Sequence, residues 1–242
     1  MTCPPALARW TTFAEKYVLS LFFFFLAYRE VTILRTRVPL LNEQSALALG
    51  SGGLFAVTVK HVLILALELF LGASLLFNRA PVRQPERLRD IVAPLVGTFF
   101  NYTFAFIDWA PAALKTNLMP TAFRNAAAVV ALLVSVTGYA VATWAVMYLG
   151  RSFSLLVSVR TVVHRGPYRW VRHPMYLGYI LLFTGILLAA PYPIVVLLVA
   201  VYLALTLYRA RLEEDALRRH SAEYREYARH TGFLVPRLRS TK

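Results

Sequence analysis

The sequence predicts an all-α, polytopic membrane protein of about six transmembrane helices, closing in a helical hairpin and a cytosolic C-terminal tail. Three observations predict it. Hydrophobic residues make up 58% of the 242 residues, with a mean hydropathy of +0.56. The apolar runs are too long and too many for a soluble core. Basic residues gather between those runs, so the net charge of +14 orients a membrane protein and points to no nucleic-acid partner. Cys3 is the only cysteine, which excludes an internal disulfide and a thiolate metal site, and no metal-ligand set is expected.

The first apolar run, Tyr17 to Leu34, centres on the block Phe22-Phe23-Phe24-Phe25. Arg9 and Lys16 precede it like the head of a signal peptide. Ala27-Tyr28-Arg29-Glu30 is no small-residue cleavage site, however, so the run reads as a retained helix. A loop from Arg35 closes in Gly50-Ser51-Gly52-Gly53. Leu54 to Phe77 is the second span and carries Lys60, His61 and Glu68. His61 and Glu68 share a stripe, about 10 Å apart along the axis. Ionisable groups in a span face the bundle interior, so they tie helices together or form a polar chamber wall; Lys60 can also snorkel.

Asn78 to Asp90 is a polar loop, and Ile91 to Trp109 a third span containing Pro94 and Gly97. After a second loop, Pro111 to Arg124, Ala126 to Leu149 forms the fourth span. Its Gly138 and Ala142 would let another helix pack close. The basic loop Arg151 to His173 precedes two short arms, Pro174 to Ala190 and Ile194 to Tyr208. The break Pro191-Tyr192-Pro193 forces them antiparallel. Each arm offers about 22–26 Å of helix, short for a hydrocarbon core of about 30 Å. Six spans put both termini on one side. That side carries twenty Lys and Arg against five on the other, so termini, basic loop and tail are assigned to the cytosol.

Chemistry concentrates in Gly166-Pro167-Tyr168-Arg169-Trp170-Val171-Arg172-His173-Pro174-Met175-Tyr176-Leu177-Gly178. Pro174 suits the first helical position, with His173 as the N-cap. His173 and Tyr176 lie on one face of the first turn, and Arg172 stands beside the positive helix end, forming an anion-binding corner. Gly178 permits close approach to the backbone. The hairpin returns the chain to this face, where Glu213-Glu214-Asp215 interrupts a basic tail. Alone, these acids read as a solvated face with a Glu214–Arg218 pair. Opposite the corner, they read as the other half of a site.

Arg172-His173-Pro174-Met175-Tyr176-Leu177-Gly178, followed by Glu213-Glu214, resembles the integral-membrane methyltransferases related to isoprenylcysteine carboxyl methyltransferase and to phospholipid N-methyltransferases. The resemblance runs from about Leu149 to Leu238 and includes the lead-in Leu149-Gly150-Arg151-Ser152-Phe153-Ser154 and the tail Tyr224-Arg225-Glu226-Tyr227. It implies S-adenosyl-L-methionine as cofactor, bound by Val163, His164, Gly166, Pro167, Tyr168, His173, Tyr176, Gly178, Glu213 and Glu214. It divides the chain into an N-terminal four-helix membrane region, 1–149, and a methyltransferase core, 150–242. In the tail, tyrosines and a strap at Pro236-Arg237-Leu238 would help cover the cofactor.

Methyl transfer from a sulfonium rests on holding acceptor and methyl in line and excluding water. A carboxylate acceptor needs a cation to place it, Arg172 or Arg209. An amine acceptor needs a base, and Glu214 is the candidate. The expected substrate is a lipophilic or prenylated molecule, with membrane lipids as surroundings and a bacterial inner membrane favoured over the endoplasmic reticulum. Carboxyl methylation of an isoprenylcysteine-like substrate leads. Phospholipid N-methylation, other small-lipophile methylation and, more remotely, a transporter using Lys60, His61 and Glu68 stay open. No inverted repeat supports the last.

Overall fold

A computed structural model describes residues 10–38 and 54–237. The expected turn Gly50-Ser51-Gly52-Gly53, Cys3 and the end of the strap at Leu238 lie outside the described residues. The secondary structure is helical, with two isolated bridges, Arg83 to Val159 and Val171 to Gly232, and no strand among the described residues. A π-helical turn, Ala14–Leu19, leads into α1 (Ser20–Arg37). It is followed by α2 (Leu54–Leu76), α3 (Arg89–Phe100), α4 (Thr121–Leu149), α5 (Pro174–Ala189), α6 (Pro193–His220) and α7 (Ala222–His230).

Four helical stretches are long and apolar enough to cross a membrane: Trp10–Thr36, Thr58–Leu76, Thr121–Ser152 and Pro193–His220. Their outer faces carry Leu21, Phe25, Phe123, Leu133 and Leu197 in the open, as lipid contact requires. The chain is an integral membrane protein. Pro174–Ala189 is apolar but has only 16 residues, as its sequence predicts. The expected third span is divided: α3 ends at Phe100 and a 3₁₀ stretch, Asn101–Trp109, continues it. At the start of the divided segment Val157 N donates to Asp90 O (3.0 Å), and in the loop after it Leu118 N donates to Pro191 O (3.1 Å).

The four basic segments meet at one end. Arg79 N donates to Arg151 O at 2.8 Å, Val159 N to Arg83 O at 3.0 Å, and Glu15 bonds residues 154–156. The packing that aims this end is the seam between α4 and α5. A Cβ on Gly138 would stand 2.5 Å from Leu182 N, and one on Gly178 would stand 2.7 Å from Ala142 N. Only glycine fits either place, so the backbones touch as the Gly138–Ala142 spacing predicts. The core beneath holds Leu75, Val146, Phe153, Tyr176, Phe183 and Tyr202.

Candidate active site

α5 starts as the sequence predicts, with Pro174 in its first turn and His173 at the N-cap. The segment before it is pinned by the tail. Arg172 N donates to Gly232 O at 2.8 Å and His173 N to Phe233 O at 3.2 Å. The strap over this corner is therefore formed by 231–233, a few residues earlier than expected. It also takes the backbone N–H groups of Arg172 and His173, on the approach to the helix end where the sequence predicts an anion-binding corner.

Arg172 donates to both oxygens of Glu214, with Nη2 to Oε2 at 3.3 Å, and to the carbonyls of Ala228 and Thr231. Glu214 also receives Arg218, Nη2 to Oε2 at 3.0 Å, and the Tyr224 hydroxyl at 2.9 Å. Glu214 is buried, and two guanidinium groups and a phenol fill its coordination. It is thus a clamp that fixes α6 to the corner and to α7. It is not the free base expected for an amine acceptor. The Glu214–Arg218 pair is realised. Burial, with the Glu214 carboxylate beside it, pushes the Tyr224 phenol well above its usual range, so it stays a donor.

Glu213 does different work. Its Oε1 accepts from the Tyr176 hydroxyl and from Arg209 Nε at 3.1 Å. Arg209 is buried, stacks its guanidinium 5.4 Å from the Tyr176 ring centre, and donates through Nη2 to Leu155 O at 2.8 Å. Leu155 is held in turn by Glu15, which accepts from the amides of Leu155 and Leu156 and from Ser154 Oγ at 2.7 Å. Arg160 Nη2 lies 3.4 Å from the same carboxylate. The sequence reading missed Glu15 and Arg160. An acid inside an otherwise basic lead-in to the first span was the available signal for Glu15.

Two pockets flank this row of residues. The first, at the basic end, encloses about 790 Å³ of space, open solvent at its mouth included. Val163, Tyr168, His173, Tyr176 and Glu213 line it among the expected cofactor residues, with Arg172, Ser154, Ser158, Tyr224 and Tyr227. The second, about 970 Å³ by the same measure, lies among the membrane helices. Its wall is largely Phe23, Ile64, Leu67, Leu71, Leu182 and Phe183, with Arg209 and Glu68 among the polar groups. Phe153, Met175 and Tyr176 belong to both pockets.

Other expected site residues lie elsewhere. His164 bonds Glu223 at 2.7 Å on the surface and stands edge-on to Tyr227, whose hydroxyl donates to Tyr168 O at 2.5 Å. Gly166, at φ +60°, makes a left-handed turn under the Tyr148 ring, and Pro167 is buried behind it. Gly178 faces α4 and not the first pocket. In α2, His61 Nδ1 meets Glu30 Oε2 at 2.5 Å and ties two helices, Glu68 is a chamber wall, and Lys60 is exposed.

The first pocket fits an amphoteric cofactor such as S-adenosylmethionine. Among the described residues His173 Nε2 is buried without a hydrogen bond; it lies 3.3 Å from Glu214 Oε1 but out of line. Ser, Tyr and carboxylate oxygens supply acceptors and donors around apolar walls, as an adenosine with an amino-acid tail requires.

Residues 129–219 match the model of the isoprenylcysteine carboxyl methyltransferase (ICMT) family. No curated protein matches the chain. Among solved structures, the eukaryotic intramembrane Ras methyltransferase ICMT is similar, with 18% identity and a TM-score of 0.42, over 95% of this chain and 97% of that one.

Proposed function

We propose that this chain, built around a segment of the isoprenylcysteine carboxyl methyltransferase family, is an integral-membrane enzyme that methylates the carboxylate of an isoprenylcysteine-type lipid. The observation that carries this reading is the shared wall. Phe153, Met175 and Tyr176 are common to the pocket at the basic end and the pocket among the membrane helices, with Glu213 lining the first and Arg209 the second. A polar methyl donor and a lipid acceptor would meet across that wall, each reaching it from its own solvent.

The methyl donor is S-adenosylmethionine, which supplies a sulfonium-activated methyl group when bound. His173 and Glu213 would hold its polar ends, and Val163, Tyr168 and Tyr227 its adenosine side. Arg209 is preorganised for the acceptor. Glu213, Thr98 and Leu155 O fix its guanidinium, which borders the apolar pocket as a fixed cation for a carboxylate. A carboxylate is nucleophilic without a base, and Glu214, the base candidate, is filled. That favours the ester over amine methylation. Arg172 then acts by positioning, through Glu214 and the tail.

The reading includes six membrane crossings, the divided third segment among them, with both termini and the basic end cytosolic. It retains the division into a membrane region, 1–149, and a core, 150–242. Calorimetric titration of S-adenosylmethionine into the protein in nanodiscs tests the donor. Saturable one-to-one binding that is lost on Glu213→Ala is expected, and no heat of binding in the intact protein would remove the reading.

A further inference from the structure

Glu68 is the one acid in the wall of the apolar pocket, and the architecture leaves it without an ion-pair partner among the described residues. The nearest candidate on its own helix, His61, is taken by Glu30. Glu68 is only 9% exposed, and its Oε2 is buried without a hydrogen bond among the described residues. Leaving a carboxyl oxygen unpaired inside a bilayer is costly, and such groups mark binding sites. Asn101, Tyr102 and Tyr139 line the same pocket, so its apolar wall has a second polar patch besides that around Arg209. Glu68 and Arg209 line the same pocket, so an acceptor whose carboxylate is set on Arg209 would bring its apolar chain past Glu68.

We infer that Glu68 is a specificity-determining residue, and that the acceptor lipid carries a hydrogen-bond donor, a hydroxyl or an amine, on its apolar chain. The inference rests on the methyltransferase reading for the placement of the acceptor. An all-hydrocarbon tail leaves the Glu68 oxygen desolvated and unpaired, whereas a hydroxyl or amine completes it. Sites built to pair a polar substrate group discriminate strongly against analogues lacking it.

The test uses the full chain in nanodiscs and a set of S-farnesylcysteine probes. One is unsubstituted; the others bear a hydroxyl, or in a second series an amine, on the first, second or third isoprene unit. Thermal unfolding without methyl donor reads binding; kcat/KM at saturating S-adenosylmethionine reads turnover. A substituted probe should raise Tm more than the parent and exceed its kcat/KM at least tenfold. Whichever series wins names the donor group. Glu68→Leu should abolish the preference and improve the parent probe, and Glu68→Gln, which keeps one carbonyl oxygen as an acceptor, should retain part of it. Equal Tm shifts and rates within threefold across all probes would overturn the inference even if every probe is methylated. Selective binding without methylation of any probe would uphold Glu68 and overturn the reading beneath it.

Discussion

The amide of Leu156 donates to Glu15 Oε1 at 3.1 Å, across 141 residues of sequence. The same carboxylate holds the Leu155 amide, and the Leu155 carbonyl receives Arg209. An N-terminal acid thus fixes, through two backbone bonds, the cation that borders the apolar pocket. The π-helical turn at Ala14–Leu19 contains Glu15 and carries it, fully buried, under the basic loop.

Glu15→Ala leaves two buried amides and Arg160 without their anion. Hydrogen bonds to a charged group contribute about 1.5–3 kcal/mol each, so acceptor kcat/KM should fall roughly 10–100-fold. Glu15→Gln should recover part of the loss, since one amide oxygen still accepts. Steady-state kinetics with S-farnesylcysteine checks this, together with Tm to separate positioning from unfolding.

Arg209 and Arg172 should part company under conservative substitution. Arg209→Lys keeps the charge but loses the fork that joins Glu213, Thr98 and Leu155, so acceptor KM should rise at least tenfold with donor affinity little changed. Arg172→Lys breaks the clamp on Glu214 and the tail carbonyls, so donor affinity and Tm should fall together. Calorimetry and kinetics on both variants check the split.

Much of this was legible in the sequence. Pro174 after His173, the two-proline break and Gly138 with Ala142 each rest on a local rule, and each local rule held. The third span did not read correctly because hydropathy measures apolar length and not helical continuity. Pro94 loosens α3, and from Asn101 the backbone tightens into 3₁₀ turns. The fate of Arg172 was hidden for another reason. Its partners, Glu214, Ala228 and Thr231, lie 42 to 59 residues away, and spacing alone does not show which donors a folded tail has already taken.

Gly138→Leu or Gly178→Leu should separate α4 from α5. Overpacking costs about 1–3 kcal/mol where side chains can yield, and here the obstructing atoms are backbone. A lower Tm and loss of folded yield in detergent are expected.

Topology follows from the same end-to-end order. In a Cys3→Ser background, cysteines at Arg83 and Arg225 should be shielded from impermeant thiol reagents in sealed cells, and one at exposed Ala113 should react. The reverse pattern would turn the basic end away from the cytosol.

The central claim is methyl transfer to a carboxylate, and alkali tests it most directly. The purified chain in nanodiscs is incubated with methyl-labelled S-adenosylmethionine and the S-farnesylcysteine probe set, and the extracted lipid product is treated with mild base. A methyl ester hydrolyses and releases its label as volatile methanol, which is the result this account predicts. Label that remains in the organic phase after base would mean nitrogen or sulfur had been methylated, and would contradict it.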